Sequence, residues 1–274
     1  MGNGDMVIGG IDWPAVAAGD WAVPAGAEVP RLVDVLTDML ASPDPVVRDE
    51  FGYTAVSVWG RRGVLDRELG RLGDIMAERL TGHAEVQART FAALAFGVVL
   101  GRDVELPGGA VDGWYEVFEN WYRTEPDVRG YDETLGWLHA VAHGADAAVA
   151  FARAVPRHAP DILELCAHRM TVKDTDYRYS HLEDARLARA LTAVLHTPGL
   201  TRDQALGWFD VVDDAFAGAG RGPCPPWAAN TFATLQSLHL HLTRGLRAGG
   251  VPRHGDEVAD HVAAILRLPF PWLR

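Results

Sequence analysis

SPDPVVRDEFGYTAVSVW, residues 42–59, carries the pattern from which the rest of the chain can be read. It opens on a start signal. Asp44 offers an N-cap oxygen, and Pro45 occupies a first turn where its missing N–H costs nothing. Val47, Phe51, Ala55 and Val58 then recur at i, i+4, i+8 and i+11, the spacing of one apolar helical face. A strand would alternate instead, and no convincing alternation between turn signals occurs elsewhere.

The same signals recur along the chain. SHLE (180–183) and TRDQ (201–204) read as capping boxes. LPGG near Leu106, HTPG near His196, RGPCPP near Arg221 and AGGVP near Gly249 read as stops. Helices are therefore predicted over 30–41, 44–60, 64–80, 83–101, 110–124, 132–154, 158–170, 180–196, 201–217, 226–247 and 254–267. Segment 83–101 is apolar on nearly every side after Arg89, which predicts burial between neighbours. Trp114, Phe118, Trp121 and Tyr122 share one face and are read as core. Residues 1–28, rich in Gly, Ala and Pro, read as an N-terminal arm packing only through Ile11, Trp13 and Trp21. Residues 29–274 read as a single all-α helical-repeat domain. The expected fold is all-α, either a HEAT-like α-solenoid or an irregular stack of antiparallel helical hairpins. The closing PFPWLR reads as a tail strapped down by Trp272.

Composition sets bounds on function. A chain of 274 residues with 48% hydrophobic and 23% charged residues can bury a core without staples. Its formal net charge of −12 argues against nucleic acid and anionic membranes, both of which need a basic field. Lys173 is the sole lysine. Cys166 and Cys224 make no disulfide framework, and MGNGDMVIGGIDWPAV lacks the basic and apolar regions of a signal peptide. The longest nearly apolar run, 91–101, is too short to span a bilayer. A cytoplasmic protein is expected. No nucleophile elbow, phosphate loop or dinucleotide fingerprint is present.

The chemistry concentrates in GWLHAVAHGAD, residues 136–146. On a helix His139, His143 and Asp146 lie within an arc of about 60°. Three readings fit. The stripe could face solvent. It could form a buried polar network with Glu125, Asp127 and Arg129 before it and Glu183, Asp184 and Arg186 after it. Or His139, His143 and Asp146 could hold a divalent metal, zinc or iron, completed by water or by Glu125, His168 or Glu183. The spacing lacks the glutamate of the His-Glu-x-x-His signature.

SPDPVVRDEFGYTAVSVW, RTFAAL, EPDVRGYDETLGWLHAVAHGAD and EDARLARAL, in this order, resemble a bacterial family called domain of unknown function 2785. The resemblance runs over about residues 30–195 and fades beyond 200. It implies an α-helical, HEAT- or armadillo-like fold and no known reaction. It also implies that Arg48, Asp49, Trp59, Arg89, Glu125, Asp127, Arg129, Trp137, His139, His143, Asp146, Glu183 and Arg186 belong to the family pattern, which favours the network and metal readings. The resulting expectation is a cytosolic protein that binds a protein segment or small molecule in a groove lined by helix 132–154. The alternative is a metal-dependent hydrolase or oxygenase using His139, His143 and Asp146, with Arg129 on an anionic substrate group.

Overall fold

The computed structural model describes residues 6–217, 223–245 and 250–268. Most of this chain is helical, and strand among the described residues is confined to two pairs of two-residue strands. Contacts divide the chain into two compact units. The first holds the described residues up to Phe118 together with Tyr131–Leu138. The second holds Glu119–Gly130 and the described residues from His139 onward.

In the first unit the arm is more regular than its composition suggests. β1 (Val7–Ile8) pairs antiparallel with β2 (Ile11–Asp12), and α1 (Trp13–Ala18) follows directly, capped by the Asp12 carboxylate on the Ala15 amide at 3.0 Å. Trp13 is fully buried against Trp59, ring centres 5.9 Å apart, and the Trp59 indole N–H donates to the Trp21 carbonyl at 2.7 Å. α2 (Val29–Leu40) comes next.

The segment 44–60 is helical as expected, but its first part, Val46–Tyr53, is wound as a π-helix before continuing as α3 (Thr54–Arg61). The Thr54 hydroxyl bonds the carbonyl five residues back, on Asp49, at 3.2 Å. The wider coil rotates the buried face. Arg48, Gly52, Ala55, Val56 and Trp59 point inward, rather than the set led by Val47 and Phe51. α4 (Leu69–Gly82), α5 (Val86–Val99) and α6 (Ala110–Thr124) follow, the last belonging to this unit as far as Phe118 and to the second from Glu119. α5 is buried on most sides, as its composition predicts, and the four aromatic residues of α6 are core.

The larger correction concerns the predicted helix 132–154. Its first third is a hairpin, β3 (Tyr131–Asp132) against β4 (Gly136–Trp137). Asp132 turns the chain by accepting from the Thr134 and Leu135 amides at 2.9 and 3.0 Å. Gly136 sits at φ +71°, where a Cβ would also lie 2.9 Å from the Pro45 Cβ. Arg48 fastens this hairpin. Its side chain is fully buried, and its Nε lies 2.7 Å from Asp49 Oδ1. Its terminal nitrogens donate to the carbonyls of Ser42 (3.1 Å), Leu135 (2.7 Å) and Trp137 (3.2 Å). The Phe91 ring lies 4.7 Å from the guanidinium.

The second unit contains α7 (Ala140–Ala154), α8 (Ala159–Met170), α9 (Glu183–Leu195), α10 (Arg202–Leu206), α11 (Phe209–Ala217), α12 (Pro226–Arg244) and α13 (Gly255–Leu266). α9 packs against α7, α8 and α12 and forms the centre of the unit. The Thr201–Gln204 capping box forms on both sides. The SHLE box does not. Helix α9 starts at Glu183, behind a left-handed Leu182 (φ +67°), and Ser180 turns to its neighbours instead. Trp272 and its tail, the breaks at Arg221 and Gly249, and the last residues predicted for helix 226–247 lie outside the described residues. Among the described residues no helix is long and apolar enough to cross a membrane.

Replacing Arg48 by methionine keeps most of the volume but strands Asp49 and three carbonyls. Urea unfolding should show a loss of about 3–5 kcal/mol. A loss under about 1 kcal/mol would contradict the anchoring role.

Candidate functional site

The residues singled out around the two histidines meet at the heads of two helices. His139 is the N-cap of α7, not part of its interior, and adopts a left-handed backbone (φ +51°). Its amide donates to the Gly130 carbonyl at 3.2 Å, and its own carbonyl accepts from the His143 amide at 2.8 Å. Glu183 is the first residue of α9, and its Oε1 lies 3.9 Å from His139 Nδ1. Seven residues into α7, Asp146 is gripped by Arg186 and Arg189 of α9, with Arg186 Nε at 3.3 Å. Heads face heads and later turns face later turns, so α7 and α9 run in the same direction. Two non-glycine residues held in the left-handed region, one at each helix start, mark this junction as a place where surrounding structure overrides local preference.

Tyr177 is the hub. Its hydroxyl accepts from the Gly130 amide at 3.0 Å and donates to Glu183 Oε1 at 3.2 Å. It also lies 3.1 Å from the Ser180 hydroxyl and 3.0 Å from His181 Nδ1. Glu183, wholly buried, takes a second bond from the His181 amide at 2.9 Å. A buried carboxylate needs such donors, because losing water without replacing its hydrogen bonds costs several kcal/mol. Gly130 is required by close approach: a Cβ there would meet Glu183 Oε1 at 2.0 Å and the Tyr177 hydroxyl at 2.9 Å.

Two further groups pin the loops that carry these residues. Glu125, buried, accepts from the Trp121 indole at 2.8 Å and from the Asp127 amide at 3.2 Å, while Arg169 donates to its carbonyl at 3.0 Å. Asn230 of α12 donates to the Tyr177 carbonyl at 3.0 Å and accepts from the Tyr179 amide at 2.8 Å. On α7, Gly144 lets the Tyr122 ring lie flush against the helix, and the Tyr122 hydroxyl donates to the Val141 carbonyl at 2.7 Å.

Burial, then the charges of Arg186 and His181, hold the His139 imidazole down at about 4. It is therefore neutral at pH 7, and its approach to Glu183 is not an ion pair there. Burial raises the Tyr177 phenol, although Ser180 and the Gly130 amide oppose this, so the hydroxyl keeps its proton for Glu183.

Beside the hub lies a cleft of about 700 Å³ lined by Pro126, Asp127, Val128, Arg129, Lys173, Asp174, Thr175, Asp176 and Tyr177. Arg129 and Asp127 are joined by two side-chain bonds, 2.9 and 2.6 Å. The cleft walls are these two loops, whereas the expected groove was lined by helix 132–154. The first turns predicted for that helix form the β3–β4 hairpin instead, and α7 begins at Ala140.

Of the residues predicted from sequence, the structure places Glu183 near His139, pairs Arg186 with Asp146, and puts Asp127 and Arg129 on the cleft wall. Glu125 braces one loop, and Trp137 belongs to the hairpin of the first unit. The histidine rings of His139 and His143 are neighbours, centres 5.5 Å apart, and His143 is buried, so the stripe turns inward. As a metal set the three fall short. Among the described residues no group of three or more His, Cys, Asp or Glu is placed to hold an ion, and the Asp146 carboxylate is taken up by two guanidinia. His168, the spare ligand, pairs with Glu164 at 3.3 Å. Sequence reading missed Tyr177, His181, Arg189 and Asn230. Only Arg189 carried a signal, one turn after Arg186 on the same face.

A family model described as Protein of unknown function (DUF2785) matches residues 77–240, more than half of the chain, and the chain belongs to that family. The match reaches past residue 200, beyond which the sequence resemblance fades, and so takes in α10, α11 and most of α12. Arg48, Asp49 and Trp59 fall before it. No curated protein and no solved structure matches the chain.

The low His139 value has a measurable consequence. The unfolded imidazole binds its proton near pH 6.5 and the folded one only near 4, so folding stability falls as pH drops through that window. Between pH 7 and 5 this amounts to about 2 kcal/mol. His139→Asn, which tolerates the left-handed backbone, should remove that part of the pH dependence in urea unfolding. An equally steep profile in the variant would contradict the assignment.

Proposed function

We propose that this DUF2785 protein is a binding protein of the cytoplasm, and that it takes a small polar molecule into the cleft between residues 126–129 and 173–177. The observation that carries this reading is the double duty of Tyr177. The residue lines the cleft, and its hydroxyl is fixed from behind by the Gly130 amide and by Glu183. A wall whose groups are set before the ligand arrives loses little freedom on binding, and preorganisation of this kind is a main source of affinity. The volume suits a small molecule.

The lining indicates what kind. Lys173 and Arg129, the latter also paired with Asp127, supply positive charge, and Asp174 and Asp176 supply carboxylates, so the cleft favours a ligand bearing both an anionic and a cationic group. An amino acid or a short peptide has that form. Thr175 and Tyr177 add neutral partners. A metal-dependent hydrolase or oxygenase draws no support from Asp146, whose oxygens are already engaged.

Thermal-shift screening with the standard amino acids and a panel of dipeptides, followed by calorimetry on any hit, tests this reading. At least one probe should raise the melting temperature. Arg129→Gln and Lys173→Gln should each weaken it by about tenfold while leaving the unliganded protein folded. A panel without a hit, or a hit indifferent to both substitutions, would sink the reading.

A further inference from the structure

The β3–β4 hairpin holds the two aromatic residues found among the exposed large hydrophobic side chains of the described residues, Tyr131 at 41% and Trp137 at 42% exposure. Their rings meet edge to face, centres 4.9 Å apart. They belong to the first unit, and nothing in the proposed cleft uses them. Aromatic residues ordinarily contribute by burial. Here the backbone is held so that they remain half outside.

That backbone is held unusually firmly for a seven-residue hairpin. Arg48 bonds two of its carbonyls from below, the Asp132 carboxylate closes its turn, and Gly136 rests against Pro45 in a conformation other residues resist. The rings are thus presented on a preformed support.

Charge indicates what fits there. The hairpin carries Asp132 and Glu133 and no basic residue, and no lysine or arginine occurs between Arg129 and Arg153. Asp132 is spent on the turn, and Glu133 stands exposed at the tip. The guanidinium that bonds the hairpin's carbonyls, Arg48, is fully buried and engaged with them, with the Ser42 carbonyl and with Asp49. We infer that the hairpin is a docking site for an arginine-bearing segment of a partner protein, with a guanidinium laid on the exposed Trp137 and Tyr131 surface and Glu133 beside it. A planar guanidinium stacks on aromatic faces and is weakly hydrated, so it suits this surface better than an ammonium. The net charge of −12 adds long-range attraction for the same partner.

The test titrates a capped tetra-arginine peptide into the full chain by calorimetry at physiological ionic strength. The wild-type protein should bind it, and a capped tetra-lysine peptide more weakly. Trp137→Ala should weaken tetra-arginine binding by about tenfold, and Trp137→Phe by less. Glu133→Gln should also weaken it, and serves in its own right if Trp137→Ala folds poorly. Asp203→Asn removes an equal charge from an almost fully exposed position in α10 and should weaken binding far less than Glu133→Gln does. The inference fails if wild-type protein does not bind the peptide, or if a folded Trp137→Ala binds as tightly as wild type. It also fails if Asp203→Asn weakens binding as much as Glu133→Gln, since attraction would then report net charge alone.

Discussion

A buried carboxylate at the head of α9 governs the second unit. Glu183 is fully buried, so the fold must bring donors to it, and one of these donors ties in a second, distant loop. The Tyr177 hydroxyl and the His181 amide come from the loop before α9. Gly130, from the loop after α6, is tied in through the same hydroxyl. Satisfying one charge therefore fixes two loops, and those loops are the walls of the cleft. It also fixes the start of α7, because the Gly130 carbonyl receives the His139 amide.

The first unit solves a related problem with the opposite charge. Arg48 is as deeply buried as Glu183, and its guanidinium is satisfied mostly by backbone carbonyls. A guanidinium offers five donors in a fixed fork, so it can hold several backbone segments at once. It draws the hairpin 131–137 onto the π-wound coil. In both units a single buried ion sets the conformation of segments that have no strong preference of their own, Arg48 directly through distant carbonyls and Glu183 through Tyr177, which binds the distant Gly130.

This explains what could be read from the sequence. The helices with sustained apolar periods, the buried α5, the aromatic core of α6 and the Thr201 cap all announce themselves locally. The sequence marks Asp146, Arg186, Glu183 and His139 as members of one polar set without pairing them; the structure pairs Asp146 with Arg186 and leaves His139 3.9 Å from Glu183. What escaped depends on distant partners. The stretch YDETLGW scores as the start of a helix until Arg48 claims the carbonyls of Leu135 and Trp137. The face of 46–53 slips because the coil widens, which a fixed period of 3.6 cannot represent. Tyr177 lies in a loop with no period at all, and only Gly130, Glu183 and Asn230 give it meaning.

The central claim is that the Tyr177 hydroxyl, seated on Glu183, ties the two cleft walls together before any ligand binds. Amide hydrogen exchange at Gly130, followed by NMR in wild type and in Tyr177→Phe, addresses this most directly. The account predicts slow exchange in the wild-type protein and a rate faster by about tenfold or more once the hydroxyl is removed. A Gly130 amide that exchanges freely in the wild type, or one equally protected in the variant, would contradict it.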